Sequence, residues 1–103
     1  MKNSEIAEIF REIAKILEIK GDIIFRIRAY DRAAQNIESL TEDIGEYIKN
    51  DNLKEIPGIG NDLSEKIKEI YKTGKLSYLQ DLKKTIPQGL LEILNNPSVG
   101  PKT

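Results

Sequence analysis

Apolar residues recur three and four positions apart along most of this chain, which is the spacing of one helix face. Residues 6–17 follow this pattern, with Asn3 or Ser4 placed to cap the helix and Gly21 just past its end. The same spacing predicts a second helix over about residues 25–40. Both segments are amphipathic, so we expect them to pack through their apolar faces.

Shorter elements follow in the middle of the chain. Thr41 is predicted to cap a short third helix. A turn of helix at residues 53–56 then leads into a tight turn at 57–60 and a helix over about 61–72. Gly74 is predicted to end that helix in a left-handed conformation.

Two further helices are predicted near the end of the chain, at residues 76–82 before Pro87 and at residues 89–94. No segment alternates apolar and polar residues for long enough to predict a strand. The sequence therefore predicts an all-α fold, a compact bundle of about five or six short helices with a helix-hairpin-helix at residues 53–73.

A weak internal repeat bears on the domain organisation. Residues 53–60 and 93–100 share an order of apolar helix end, proline, small residue, aliphatic residue and glycine. A helix follows the first copy, whereas the chain stops at Thr103 after the second. We expect one helical domain over residues 1–96, with 97–103 starting a second hairpin of a longer protein.

The turn from Pro57 to Gly60 has the chemistry of a phosphate-binding hairpin. Gly58 and Gly60 permit positive φ and leave no side chain between the backbone and a ligand. The first N–H groups of the next helix, from Asn61, lie unpaired at its positive end, where a phosphate oxygen can bind. Ile59 is predicted to turn inward and fix the loop to the core. Such contacts read the DNA backbone rather than base sequence; the alternative is a simple helix-to-helix turn.

Composition limits the other function classes. The absence of cysteine and histidine excludes thiolate metal sites and removes the commonest general base. No apolar run is long enough to span a membrane, so we expect an intracellular protein. The net charge of −1 argues mildly against DNA binding. Basic residues nevertheless outnumber acidic ones within 26–40 and within 54–84, so a local DNA-binding surface is predicted.

Three motifs in order carry a resemblance to a known family: FRIRAYDRAA at residues 25–34, IPGIG at 56–60, and EKI at 65–67 followed by TGKL at 73–76. Together they resemble the N-terminal domain of family X DNA polymerases, which includes DNA polymerase beta, with the bacterial and archaeal members most similar. The resemblance implies a small bundle that binds the 5′-phosphate side of a DNA gap during repair. It also implies a monomeric part of a cytoplasmic, prokaryotic polymerase that works with the nucleoid.

The same resemblance assigns roles to individual residues. It implies that Arg26, Tyr30 and Lys54 line a 5′-phosphate pocket beside the hairpin residues. It places Lys66 at the position of a lysine that, in some members, forms a Schiff base and removes 5′-deoxyribose phosphate by β-elimination.

The resemblance requires no cofactor, but it implies Na⁺ or K⁺ at the main-chain carbonyls of Lys54, Ile56 and Ile59 when DNA is bound. The sequence also departs from the family. Asp62 and Tyr78 stand where lyase-active eukaryotic members carry lysines, which makes the predicted pocket less cationic.

Several assignments have two interpretations. Lys66 is either a lyase nucleophile or a structural lysine paired with Asp62 and Glu69, which lie at positions i−4 and i+3. Tyr30 is placed on an apolar helix face, where core packing competes with phosphate contact. The arginines of residues 26–32 either bind DNA or form a solvated face.

The sequence thus predicts non-sequence-specific binding of gapped or nicked DNA near a 5′-phosphate. The alternative is a helical protein-interaction module without affinity for DNA, which the net charge of −1 fits better.

Overall fold

The computed structural model describes residues 2–86, and this part of the chain is entirely helical, without strands. The helices, in chain order, are α1 (Asn3–Lys20), α2 (Ile24–Glu38), α3 (Ile44–Lys49), a short 3-10 helix (Leu53–Glu55), α4 (Asn61–Thr73) and α5 (Ser77–Lys84). The predicted all-α fold is therefore confirmed. The predicted helix at 89–94 and the second hairpin at 97–103 lie outside the described residues.

The start of α1 differs from the prediction. Lys2, rather than Asn3 or Ser4, is the N-cap residue, and its backbone N–H donates to the Glu5 carboxylate over 2.7 Å. The Asn3 side chain instead bridges to the start of α3. It donates to the Glu42 carbonyl (2.9 Å) and accepts the N–H of Ile44 (2.8 Å). A long-range contact thus replaced the local cap.

The start of α3 also differs, because Asp43 and not Thr41 is its N-cap. The Asp43 carboxylate accepts the backbone N–H of Gly45 at 2.8 Å, satisfying a donor that the helix itself leaves unpaired. Both predicted C-terminal glycines are confirmed: Gly21 and Gly74 end α1 and α4 with φ of 77° and 79°.

The core forms mainly where α1 packs along α2. Phe10 and Ile13 on α1 are fully buried against a face of α2 that carries Ala33 and Ala34. Because alanine side chains are short, the two helices can approach closely around the larger α1 residues. The hairpin and the last two helices close the core with a further set of buried residues: Leu53, Ile56, Ile59, Ile67, Ile70, Leu76 and Leu79.

Polar groups inside this core are satisfied. Ser64 is the one buried polar residue in the described part of the chain, and its hydroxyl donates to the Asn61 carbonyl over 3.0 Å. The first turn of α4 lies beside the first half of α2, and the two helices border the candidate site.

Candidate nucleic-acid interface

The apolar residues of the hairpin loop attach it to the core. Ile56 and Ile59 are buried, and the Ile59 N–H donates to the Ile56 carbonyl across the turn at 3.0 Å. Gly58 between them has φ of +85°, a conformation that residues with a side chain rarely adopt. The inward position predicted for Ile59 is confirmed, and it leaves the exposed backbone of the loop facing solvent.

Helix α2 holds the same loop from the side. The Asn36 amide donates to the Pro57 carbonyl at 2.6 Å. A Cβ at Gly58 would lie 3.4 Å from both the Arg32 Cδ and the Asn36 Nδ2. Sequence analysis missed Asn36, since nothing in its local pattern links it to a proline 21 residues away.

The loop ends in an open helix N-terminus. Gly60 is the N-cap of α4 and provides no side-chain cap, and a Cβ built there would meet nothing within 4 Å. Its carbonyl accepts the Ser64 N–H at 2.9 Å, so the α-helical bonding starts there. The N–H groups of Asn61, Asp62 and Leu63 come before this first α-helical bond, and donors at this position of a helix are the ones that can bind an anion.

The remaining predicted hairpin residues lie outside this opening. Lys54 is exposed on the 3-10 helix. Among the three carbonyls predicted to bind a cation, that of Ile56 already accepts the Ile59 N–H. A carbonyl oxygen has a second lone pair, so this bond is compatible with a cation as well.

A cavity of about 290 Å³ brings together three of the predicted site residues. Arg26 and Tyr30 reach it from α2, and Lys66 reaches it from α4. Asp62 and Tyr78, the two positions at which the sequence departs from the lysines of the family, line the same cavity. Residues far apart in the sequence thus share one pocket next to the open N-terminus of α4.

Lys66 is the most enclosed charged group of this cavity, with 16% of its side chain exposed. Its ammonium lies 2.8 Å from the Asp62 carboxylate and 4.8 Å from the ring centre of Tyr78. The predicted pairing with Asp62 is confirmed. The predicted pairing with Glu69 is wrong, because the Glu69 carboxylate accepts the N–H and hydroxyl of Ser77 and so binds the start of α5.

An aromatic stack forms the inner wall of the cavity. The Tyr30 ring packs edge-on against Phe10 (centroids 5.6 Å apart) and lies nearly parallel to Tyr78 (6.1 Å). Burial of the side chain raises the pKa of Tyr30 well above its usual value, so the phenol is neutral at ordinary pH. Core packing is therefore confirmed for Tyr30, which also lines the cavity.

A second, larger cavity of about 650 Å³ opens between α2 and the hairpin. Arg28, Arg32 and Gly58 line it, together with Phe25, whose residue surface is 76% exposed. Phe25 was predicted only as the start of the second helix and as part of a motif. Its exposure beside two arginines follows from the position of the hairpin and could not be read from the helical spacing.

Comparison with known proteins places this architecture in a family. A family model described as "Helix-hairpin-helix domain" matches residues 1–76. The chain belongs to this helix-hairpin-helix domain family. No helix within residues 2–86 is long and apolar enough to cross a membrane.

Two curated relatives of the helix-hairpin-helix chain are DNA polymerases. The chain is 33% identical over 102 residues to "DNA polymerase/3'-5' exonuclease PolX" of Bacillus subtilis (strain 168), which covers 99% of this chain and 17% of that protein. It is 29% identical over 94 residues to "DNA polymerase lambda" of Rattus norvegicus, with 91% and 15% covered. The chain thus spans about a sixth of each relative's length, and the predicted relationship to family X DNA polymerases is confirmed.

Proposed function

We propose that this helix-hairpin-helix domain binds gapped or nicked DNA at a 5′-phosphate, without sequence preference, as part of a family X DNA polymerase in repair. The observation that carries the proposal is the cavity shared by Arg26, Tyr30 and Lys66 beside the uncapped start of α4. Two cations and a row of backbone donors around one opening match the charge and the acceptor oxygens of a terminal phosphate.

The hairpin would contact the adjoining sugar-phosphate backbone. The exposed Gly58 and Gly60 leave the loop backbone open, and the N–H groups of Asn61, Asp62 and Leu63 precede the first α-helical hydrogen bond, which the Ser64 N–H makes. Such contacts fix the position of the DNA but carry no sequence information. We further propose that the loop carbonyls of Lys54, Ile56 and Ile59 would hold Na⁺ or K⁺ when DNA is bound, since these ions bind oxygen ligands.

The second cavity fits the unpaired strand of a gap. An exposed phenylalanine offers a face on which a base can stack, and Arg28 and Arg32 beside it can neutralise the strand. The two cavities lie on neighbouring faces of α2 and share Ala29, with Arg26 lining one and Arg28 lining the other. Phe25 therefore extends the proposed interface from the phosphate to an adjacent base.

In this proposal Lys66 acts as a cation that binds phosphate. A Schiff-base lyase needs a lysine amine that is free to attack the sugar, whereas the Lys66 side chain is held by the Asp62 carboxylate and the Tyr78 ring. Borohydride trapping on DNA with a 5′-deoxyribose phosphate tests this assignment. We expect trapping no greater than with Lys66→Ala; trapping that needs Lys66 would assign the lyase activity to this chain.

The DNA-binding proposal is tested by fluorescence anisotropy on a short-gap duplex with and without the 5′-phosphate, at several salt concentrations. We expect tighter binding to the phosphorylated gap. If about three phosphates are neutralised, the slope of log K against log salt should be about −2.7. Absence of binding at low salt, together with a mass that rises with protein concentration, would instead support the protein-interaction module.

A further inference from the structure

The cavity lined by Arg26, Tyr30 and Lys66, hereafter the phosphate cavity, also contains a side chain whose negative charge disfavours a phosphate. Asp62 lines the cavity from the first turn of α4, and its carboxylate holds the Lys66 ammonium at 2.8 Å. A carboxylate and a phosphate oxygen use the same charge-assisted hydrogen bond from a lysine. The two anions would therefore meet at one ammonium, and like charges placed so close repel each other.

The two partners of this ion pair differ in their freedom to move. The Lys66 side chain is 16% exposed, whereas that of Asp62 is 78% exposed. Lys66 also lies over the ring of Tyr78, which stacks on the buried Tyr30. The Tyr78 contact can persist without Asp62, so the lysine is held in place while the aspartate can rotate into solvent.

We propose that Asp62 is an internal competitor of the DNA phosphate, which occupies Lys66 in the free domain and is displaced from it when a 5′-phosphate binds. The inference rests on the proposed function, and it makes Asp62 a residue that sets the affinity for the phosphorylated end. Asp62 lies at the positive end of α4, so an incoming phosphate would also take over its favourable interaction with the helix N-terminus.

The matched control for Asp62 is Glu65, another exposed acid on α4. Glu65 is paired with Lys68 at 3.4 Å and does not line the phosphate cavity. Asp62→Asn and Glu65→Gln each remove one negative charge from an exposed carboxylate and break one ion pair on the same helix. A general electrostatic effect on DNA binding would be the same in both variants, whereas competition at Lys66 would appear in Asp62→Asn alone.

The experiment measures Kd for gapped DNA with and without the 5′-phosphate and compares the ratio across variants. Releasing the Lys66 ammonium from Asp62 should raise the preference for the phosphorylated gap by about fivefold in Asp62→Asn, the upper range for ion pairs open to solvent. Glu65→Gln should tighten both affinities equally and leave the ratio unchanged. In a Lys66→Met background, Asp62→Asn should change the ratio less than in the wild-type background, because only the repulsion between Asp62 and the phosphate remains; an equal change in both backgrounds would overturn the competition.

The outcomes separate this inference from the proposed function. If the wild type prefers the phosphorylated gap and both Asp62→Asn and Glu65→Gln keep the wild-type Kd ratio, the inference about Asp62 is overturned and the proposed function stands. No preference in the wild type or any variant would overturn both. Circular dichroism checks the fold of each variant, and Asp62→Ser serves as a second variant because it also removes the carboxylate from the first turn of α4.

Discussion

The α1–α2 interface and the phosphate cavity both include residues of α2, but they differ in the interactions that their side chains make. At the interface, apolar side chains such as Phe10 and Ile37 are fully buried, and shape and area determine the stability. In the cavity, the enclosed Lys66 ammonium pairs with the exposed Asp62 carboxylate, and an ion pair open to solvent on one side adds little stability. The side of α2 that faces α1 therefore stabilises the fold, whereas the side that faces the cavity can contact a ligand.

The largest effect expected from this comparison is on the interface. Phe10→Ala removes a fully buried ring that contacts Tyr30 and should destabilise the domain by about 3–5 kcal/mol. The matched control is Phe25→Ala, on the exposed side of α2, which should change stability by less than about 0.5 kcal/mol and yet weaken DNA binding. Urea unfolding and anisotropy measure the two effects; equal stability losses would contradict the division of roles.

The next largest effect is expected for the hairpin loop at residues 57–60. Gly58→Ala places a side chain at φ of +85° and should reduce stability by about 1–2 kcal/mol. Gly60→Ala is the control, since φ there is −100° and the added Cβ meets open space. Thermal unfolding of both variants checks this. A loss for Gly60→Ala as large as that for Gly58→Ala would show that the loop conformation is not the cause.

A third prediction isolates charge in the cavity from charge elsewhere on α4. Lys66→Met should reduce the affinity for the 5′-phosphorylated gap by about tenfold, the loss expected for one charge-assisted hydrogen bond. Lys68→Met removes the same charge outside the cavity and should weaken binding to both DNA forms alike. Anisotropy with both duplexes decides, and loss of phosphate preference in Lys68→Met would contradict the assignment.

The smallest expected effect is the pH dependence of the stability that the α4–α5 contact contributes. Hydrogen bonds from the Ser77 hydroxyl and N–H lower the pKa of Glu69 below its ordinary value of 4.5. The charged form therefore stabilises the folded domain above that value, and this contribution is lost as the pH falls through the lowered pKa. Glu69→Gln should unfold at a lower temperature than wild type at pH 7. The difference in unfolding temperature between the two proteins should become smaller toward pH 3. A difference that does not change with pH would contradict this linkage.

Helical spacing predicted the interface well, because burial of one face repeats along the sequence with the period of the helix. Residues such as Ile13 and Ile67 are buried where that period places them. The helix ends were less predictable. Asn3 looked like a local cap, but its amide binds the start of α3 instead, a contact about 40 residues away that local pattern cannot encode.

The candidate site was predictable only in part, for a related physical reason. The Asp62–Lys66 pair follows from helical i,i+4 geometry and is confirmed. The stacking of Tyr78 on Tyr30 and the bond from Asn36 to Pro57 depend on how separate helices pack. The diversion of Glu69 from Lys66 to Ser77 is likewise a consequence of where α5 lies.

The central claim is that the cavity beside α4 binds a 5′-phosphate, and amide chemical-shift mapping tests it most directly. The domain would be titrated with two gapped duplexes that differ only in the 5′-phosphate. The account predicts phosphate-dependent shifts confined to the start of α2, residues 58–62 and Lys66. Identical shifts with both duplexes, or phosphate-dependent shifts centred on the acidic residues around α3, would contradict it.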